Sequence, residues 1–345
     1  MVAKGTFYCN FGLSGPESDT LKVCIYGAGA VGGWIGHGLA RARAHVSVVA
    51  RGALLPALNA HGLRLNQAGV MTAQAVHASA LPLELGVQDV VIISVKAPSL
   101  AEVAQHIAPL IGPQTMVLTA MNGVPWWFLQ GFGGEFSGRS LMSIDPHGDI
   151  ARAIAPQHII GCVVHASCSV DEPGLVRHHF GNRLIIGEPS GEKTQRVQLL
   201  LALLEQAGFE AVQSAQIQKD IWFKLWGNMT VNPISALTGA TTDLILNDEL
   251  VRAFISSVML EAKKIGARLG IAIDQQPEDR HAVTLKLGAF KTSMLQDVEA
   301  GKAVELDALV TAVKELGVLT SVATPYTDAL LGLSRLQARV RGLYT

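Results

Sequence analysis

Leu21-Lys22-Val23-Cys24-Ile25-Tyr26-Gly27-Ala28-Gly29-Ala30-Val31-Gly32 is the stretch on which the fold turns. Its first half is a short apolar run of strand character, and its second half matches GxGxxG. Helical spacing follows over residues 31–43, so the glycines lie at a strand-to-helix turn. There the first glycine permits the tight turn, the second lets backbone approach a pyrophosphate, and the third lets helix and strand pack closely. The helix N-terminus would present N–H groups and the positive end of its dipole to the phosphates. Gly27, Ala28, Gly29, Ala30, Val31 and Gly32 are therefore the expected dinucleotide-binding loop.

Working outward, residues 45–50 read as a second strand, 90–95 as a β-branched strand buried on both faces, and 115–120 as another. A helix over 99–111 separates the last two. Such alternation predicts a doubly wound, Rossmann-like α/β domain. Further strands are expected at 159–165, 184–187 and 210–213, with a helix at 193–207. Beyond about residue 216 strand signals vanish, and amphipathic patterns cover 217–232, 247–269, 289–299, 305–316 and 326–341. The expected division is a flexible leader at 1–20, a nucleotide-binding domain at 21–214 and an all-α domain at 215–345.

Composition narrows the function classes. The chain has 345 residues, 16% of them charged, and a formal charge of −1. With no basic run, nucleic-acid binding has little electrostatic support. No apolar stretch free of Gly, Pro or charge is long enough to span a membrane. Four cysteines without CxxC spacing fit a reducing cytoplasm, and eleven histidines include no HExxH or paired spacing. No metal, membrane or nucleic-acid partner is expected.

The end of the second strand bears on which dinucleotide binds. An NAD or FAD site usually carries an acidic residue there, whereas this chain has Ala50-Arg51-Gly52. Arg51 could pair with a 2′-phosphate through its planar guanidinium, which selects NADP(H); the alternative is a solvated surface arginine. Lys96 and Asn122 follow the strands at 90–95 and 115–120, at the carboxyl edge where open α/β sheets bind ligands.

Lys224, Asn228 and Asn232 form an i, i+4, i+8 polar stripe in an otherwise apolar helical stretch. Burying such groups is unfavourable unless they are paired, so the stripe reads as a catalytic face. A desolvated lysine has a lowered pKa, which makes Lys224 a plausible acid near neutrality; a lysine snorkelling from a helix edge is the plainer reading. His165 is a weaker candidate acid. Pro233 should kink or end the helix. Glu305 and Ser293 fall on predicted helices, where solvent exposure is the default.

Together these residues resemble the ketopantoate reductase (2-dehydropantoate 2-reductase) family over nearly the whole chain from Lys22 onward. The matching pieces are the glycine loop, Val95-Lys96-Ala97, Asn122-Gly123, the Lys224, Asn228 and Asn232-Pro233 stripe, Ser293-Met294-Leu295-Gln296-Asp297 and Glu305-Leu306-Asp307. The resemblance implies NADPH-dependent reduction of a 2-oxo acid to a 2-hydroxy acid, with Lys224 as proton donor. It implies that Asn228, Asn232 and Ser293 hold the substrate and that Asn122 touches cofactor and substrate. Glu305 would lie by the cofactor ribose and help orient Lys224. Lys96 would sit on the cofactor side, and Ala166 would offer backbone to the nicotinamide amide.

This chain also departs from the family pattern. Thr242 or Thr241 stands where a substrate-binding asparagine is expected, and Val310-Thr311 replaces an Asn-Gly. The segment between Asn122 and His165 is longer and carries Pro125-Trp126-Trp127, whose tryptophans either pack ordinarily or wall the substrate. The reaction class stands, while the choice of 2-oxo acid widens beyond ketopantoate. A non-catalytic NADP(H) sensor would need the loop and Arg51 but not a buried Lys224. The apolar faces of the helical domain are compatible with a homodimer.

Overall fold

The computed structural model describes residues 20–131 and 133–344. The expected leader, apart from its last residue, lies outside the described residues. A mixed ten-stranded sheet organises the first domain. Its strands are β1 (Lys22–Tyr26), β2 (His45–Val49), β3 (Leu63–Gln67), β4 (Val70–Gln74), β5 (His77–Ser79), β6 (Gln88–Ile93), β7 (Ile111–Thr119), β8 (Ile159–Glu172), β9 (Leu175–Gly187) and β10 (Glu210–Gln213). The order is β4-β3-β9-β8-β7-β6-β1-β2-β5, and β10 also pairs with β9. Strands β2, β1, β6, β7 and β8 run parallel, while β8 and β9 form a long antiparallel ribbon.

Successive side chains of a strand point to opposite faces, and both faces here are covered. Val23, Ile25, Val90 and Ile92 face the helices Ala30–Arg41 and Gln195–Gln206. Cys24, Tyr26, Val91 and Ile93 face the other way, into a core continuous with Trp222, Trp226, Ile265 and Leu316 of the helical domain. One apolar cluster thus joins the two domains. At its centre lies the helix Ile217–Thr238, packed by Glu249–Arg268, Ser293–Glu299 and Pro325–Val340. Among the described residues, no helix is long and apolar enough to cross a membrane.

Three local expectations need correction. The helix carrying Lys224 continues through Pro233 to Thr238. An interior proline disfavours a helix by about 3 kcal/mol; burial of Met229, Val231, Ile234 and Ala236 in the shared core offsets this. Residues 99–111 are not one helix. A 3-10 turn (Ala97–Ser99), a helix (Leu100–His106) and a second 3-10 turn (Ala108–Leu110) follow each other, because Pro98 and Pro109 interrupt the backbone hydrogen bonding. Residues 305–316 begin with a π-helical turn, Asp307–Thr311, before Ala312–Leu319. Glu305 precedes that turn and is buried, contrary to the default for a helix surface.

Candidate active site

Because β2, β1, β6 and β7 are adjacent and parallel, Arg51, the glycine loop, Lys96 and Asn122 emerge at one edge of the sheet. They spread over three strand spacings, roughly 14 Å, a span suited to an extended dinucleotide. Gly27 has φ +95, and a Cβ there would lie 2.6 Å from Val95 Cγ1. A Cβ on Gly32 would run into Ser94 Oγ and the Gly27 carbonyl. Ser94 Oγ donates to that carbonyl at 2.7 Å, which ties the loop to the end of β6.

Gly29 differs, with nothing within 4 Å of its Cβ position. It is the N-cap of the helix Ala30–Arg41, and the space beside it where a side chain would stand is open. Such a turn can accept the pyrophosphate of a dinucleotide. Beside this loop, Arg51 forms a two-point ion pair with Glu102, one contact being 2.9 Å. The arginine side chain is 60% exposed, at the end of β2 as expected.

Across the crevice, the helix Ile217–Thr238 approaches β8 closely: a Cβ on Gly161 would lie 2.6 Å from Ile217 Cγ1. This approach brings Lys224 Nζ to the sheet, where it donates to Asn122 Oδ1 at 2.8 Å and to the Val164 carbonyl at 2.6 Å. Burial pulls its pKa down to about 8; among its charged neighbours Arg280 adds to that shift and Glu305 opposes it. Cys162 is pushed up to about 12 by burial and stays a neutral thiol. His165 is lowered to about 4, by burial first and then by Lys224, Arg280 and Arg183, so it is neutral near pH 7. Of the two candidate acids, only Lys224 carries a proton to give as a cation.

Lys224, Asn228 and Asn122 line one small pocket. It adjoins a second, mostly apolar pocket lined by Leu100, Trp126, Ile144 and Ile221. Asn232 is buried two turns beyond Lys224 on the same helix, and Ser293 is exposed at the head of the helix Ser293–Glu299. Trp127 packs in the core and donates to Thr119 Oγ1 at 3.2 Å. Trp126 borders the apolar cavity. Thr242 donates its hydroxyl to the Gly288 carbonyl, and Thr241 pairs with Asp243. Thr311, in the Val310-Thr311 departure, donates to Asp307.

Lys96 and Glu305 meet, although they are far apart in sequence. Lys96 Nζ lies 2.7 Å from Asp297 Oδ2 and 3.3 Å from Glu305 Oε2, and the Ala97 N–H donates to Glu305 Oε1 at 2.9 Å. Burial works to lower the Lys96 pKa, yet the two carboxylates outweigh it and the net shift is upward. Glu305 makes no hydrogen bond to Lys224 among the described residues; its charge reaches that ammonium only through space. Ala166 sits in β8 two residues past the Val164 carbonyl, at a register shift against β9.

Sequence reasoning missed Glu102 and Arg280. Arg280 follows Pro277-Glu278-Asp279 and reads as a helix-surface residue, yet its guanidinium lies 5.4 Å from the Phe223 ring and directly over Gly227. The available signal was Gly227 itself, because a glycine inside a buried helix marks a close approach.

A glycine turn built for a pyrophosphate, faced across a crevice by a desolvated lysine from a helical domain, defines a nicotinamide-dependent oxidoreductase. The model of the family described as Ketopantoate reductase PanE/ApbA matches residues 23–127, and that of its C terminal matches residues 216–338. The chain belongs to the ketopantoate reductase family. A 2-dehydropantoate 2-reductase of Mesorhizobium japonicum is 47% identical over 326 residues, covering 94% of this chain and 100% of its own. A solved ketopantoate reductase-family structure from Ralstonia solanacearum MolK2 is 54% identical, with a TM-score of 0.90, covering 94% of this chain and 99% of its own. A PanE/ApbA family ketopantoate reductase from Ralstonia eutropha JMP134 is 26% identical, with a TM-score of 0.80 over 93% of this chain and 100% of its own. A D-mandelate dehydrogenase bound to NADH and anilino(oxo)acetate, 22% identical with a TM-score of 0.80, shares the fold.

Proposed function

We propose that the protein reduces a 2-oxo acid, foremost 2-dehydropantoate (ketopantoate), to the 2-hydroxy acid with NADPH. One observation carries this reading: the Lys224 ammonium is desolvated and held against Asn122, at the β7 end of the crevice. Bound along the glycine turn, the nicotinamide cofactor would be the source of the hydride that the carbonyl carbon receives. Lys224 donates a proton to the carbonyl oxygen as its negative charge develops, then regains one from solvent. Asn122 and the Val164 carbonyl fix the amine in place beforehand. Asn228, Asn232 and Ser293 supply further hydrogen-bonding groups for the substrate, and Glu305 with Lys96 and the Ala166 backbone serves the cofactor side.

Arg51 supports the choice of NADPH, since a guanidinium occupies the end of β2 where a ribose-binding carboxylate would otherwise stand. A different 2-oxo acid is the second reading, favoured by the apolar lining at Trp126, Leu100 and Ile144, which would suit a nonpolar substituent on the substrate. Pairing of two copies through the helical domain is supported by the exposed Leu333, Leu336 and Val340 on its last helix. The free thiols of Cys24, Cys162 and Cys168 suit a cytoplasmic setting.

The test is NADPH oxidation across a panel of 2-oxo acids with wild type and Lys224→Ala. The variant should lose at least about 100-fold in kcat while retaining NADPH affinity. A Lys224→Ala enzyme with most of its rate would remove the proposed acid, and tight NADPH binding without turnover of any 2-oxo acid would favour a sensor.

A further inference from the structure

Arg280 is a cation without a counter-charge beside Lys224. Its Nε is buried and has no hydrogen-bond partner among the described residues, and it enters none of the ion pairs found among them. The helix Ile217–Thr238 makes room for it: a Cβ on Gly227 would lie 2.7 Å from Arg280 Nε and 3.1 Å from Nη2. Phe223, one turn back, places its ring 5.4 Å from the guanidinium carbon. Phe223 and Gly227 form the row next to Lys224 and Asn228 on the same helix, so the guanidinium borders the catalytic stripe. Its charge is felt by both Lys224 and His165.

Two neighbouring cations in a desolvated place repel each other and call for an anion. In a 2-oxo acid, the carboxylate and the reacting carbonyl sit on adjacent carbons. Side-by-side cations can therefore address both groups, one binding charge and the other donating a proton. We infer that Arg280 is the anchor for the substrate carboxylate and sets the enzyme's preference for acids over neutral ketones. The inference rests on the 2-oxo acid reading above and adds a residue to it. A guanidinium suits this role because its fork matches both carboxylate oxygens, and the Phe223 ring holds it by a cation–π contact.

The experiment compares wild type, Arg280→Gln, Arg280→Lys and Gly227→Ala on a 2-oxo acid and on its methyl ester, in which the carboxylate is masked. Wild type should prefer the acid. Arg280→Gln should raise KM for the acid by roughly 10- to 100-fold with little change in kcat, and the preference over the ester should collapse. Arg280→Lys, which keeps the charge but loses the fork, should fall between. Gly227→Ala should behave like Arg280→Gln because the new methyl displaces the guanidinium, so the test survives if one variant misfolds. Thermal stabilisation by oxamate, an unreducible analogue, should disappear with the acid preference. An acid-to-ester preference retained in folded Arg280→Gln or Gly227→Ala overturns the assignment. A wild type that reduces only neutral carbonyls would instead defeat the 2-oxo acid reading on which it rests.

Discussion

Two lysines face the crevice, and their surroundings push them in opposite directions. Lys96 is held charged by Asp297 and Glu305, whereas Lys224 is desolvated and brought to about 8. Under the proposed mechanism, groups driven apart in this way divide the work, one as a fixed charge and the other as a proton donor. If Lys224 is the donor, reduction needs the protonated amine, so kcat/KM for the 2-oxo acid should be flat below the Lys224 pKa and fall as pH rises through about 8. Oxidation of the hydroxy acid needs the neutral amine and should rise over the same interval. A reduction rate unchanged from pH 6 to 10 would mean another donor. At the other end of the crevice, Glu102 occupies the guanidinium that a 2′-phosphate would use. Glu102→Gln should lower the NADPH KM by roughly two- to fivefold, the scale of an exposed ion pair, and leave the NADH KM alone. Arg51→Ala should raise the NADPH KM and cancel the gain from Glu102→Gln, as a double-mutant cycle would register.

Elements differ in how far a sequence exposes them. The glycine turn was legible because strand, loop and helix are contiguous and each glycine has a local reason. The stripe on Ile217–Thr238 was legible too, since three polar side chains at helical spacing stand out against tryptophan, leucine and isoleucine. Its continuation through Pro233 was not, because packing from distant helices overrides the local preference. The hairpin of β3 and β4 also escaped notice: most of its residues are at least partly exposed, so there is little apolar alternation to read. Periodicity alone left Glu305 at the solvent-facing default for a helix, because its partners, Lys96 and the Ala97 N–H, come from the other domain and only the family resemblance pointed to a site. The junction between domains is tight where Asn122-Gly123 meets the π-helical turn. Gly123 has φ +84, a Cβ there would lie 2.6 Å from the Ala308 carbonyl oxygen, and Val124 N–H donates to that oxygen at 2.8 Å. Gly123→Ala should therefore destabilise the protein by about 2 kcal/mol or more in urea unfolding. Gly301→Ala, with φ +65 and nothing within 4 Å, should cost only about 1 kcal/mol. Equal effects would show that the close approach at Gly123 is unimportant.

At the level of the whole molecule, the two domains are not beads on a string, because a single apolar cluster runs from the sheet into the helical bundle. Trp126, Trp127, Trp222 and Trp226 all lie in that shared cluster, and Trp126 also borders the cavity beside Asn122. Indole emits where reduced nicotinamide absorbs and oxidised nicotinamide does not. Titration with NADPH should therefore quench tryptophan emission and excite cofactor fluorescence, while NADP+ should leave the energy transfer absent, with Trp126→Phe removing part of the signal. The wall between the halves would then act as an optical gauge, reporting in real time whether the bound nucleotide still holds the electrons it is to deliver.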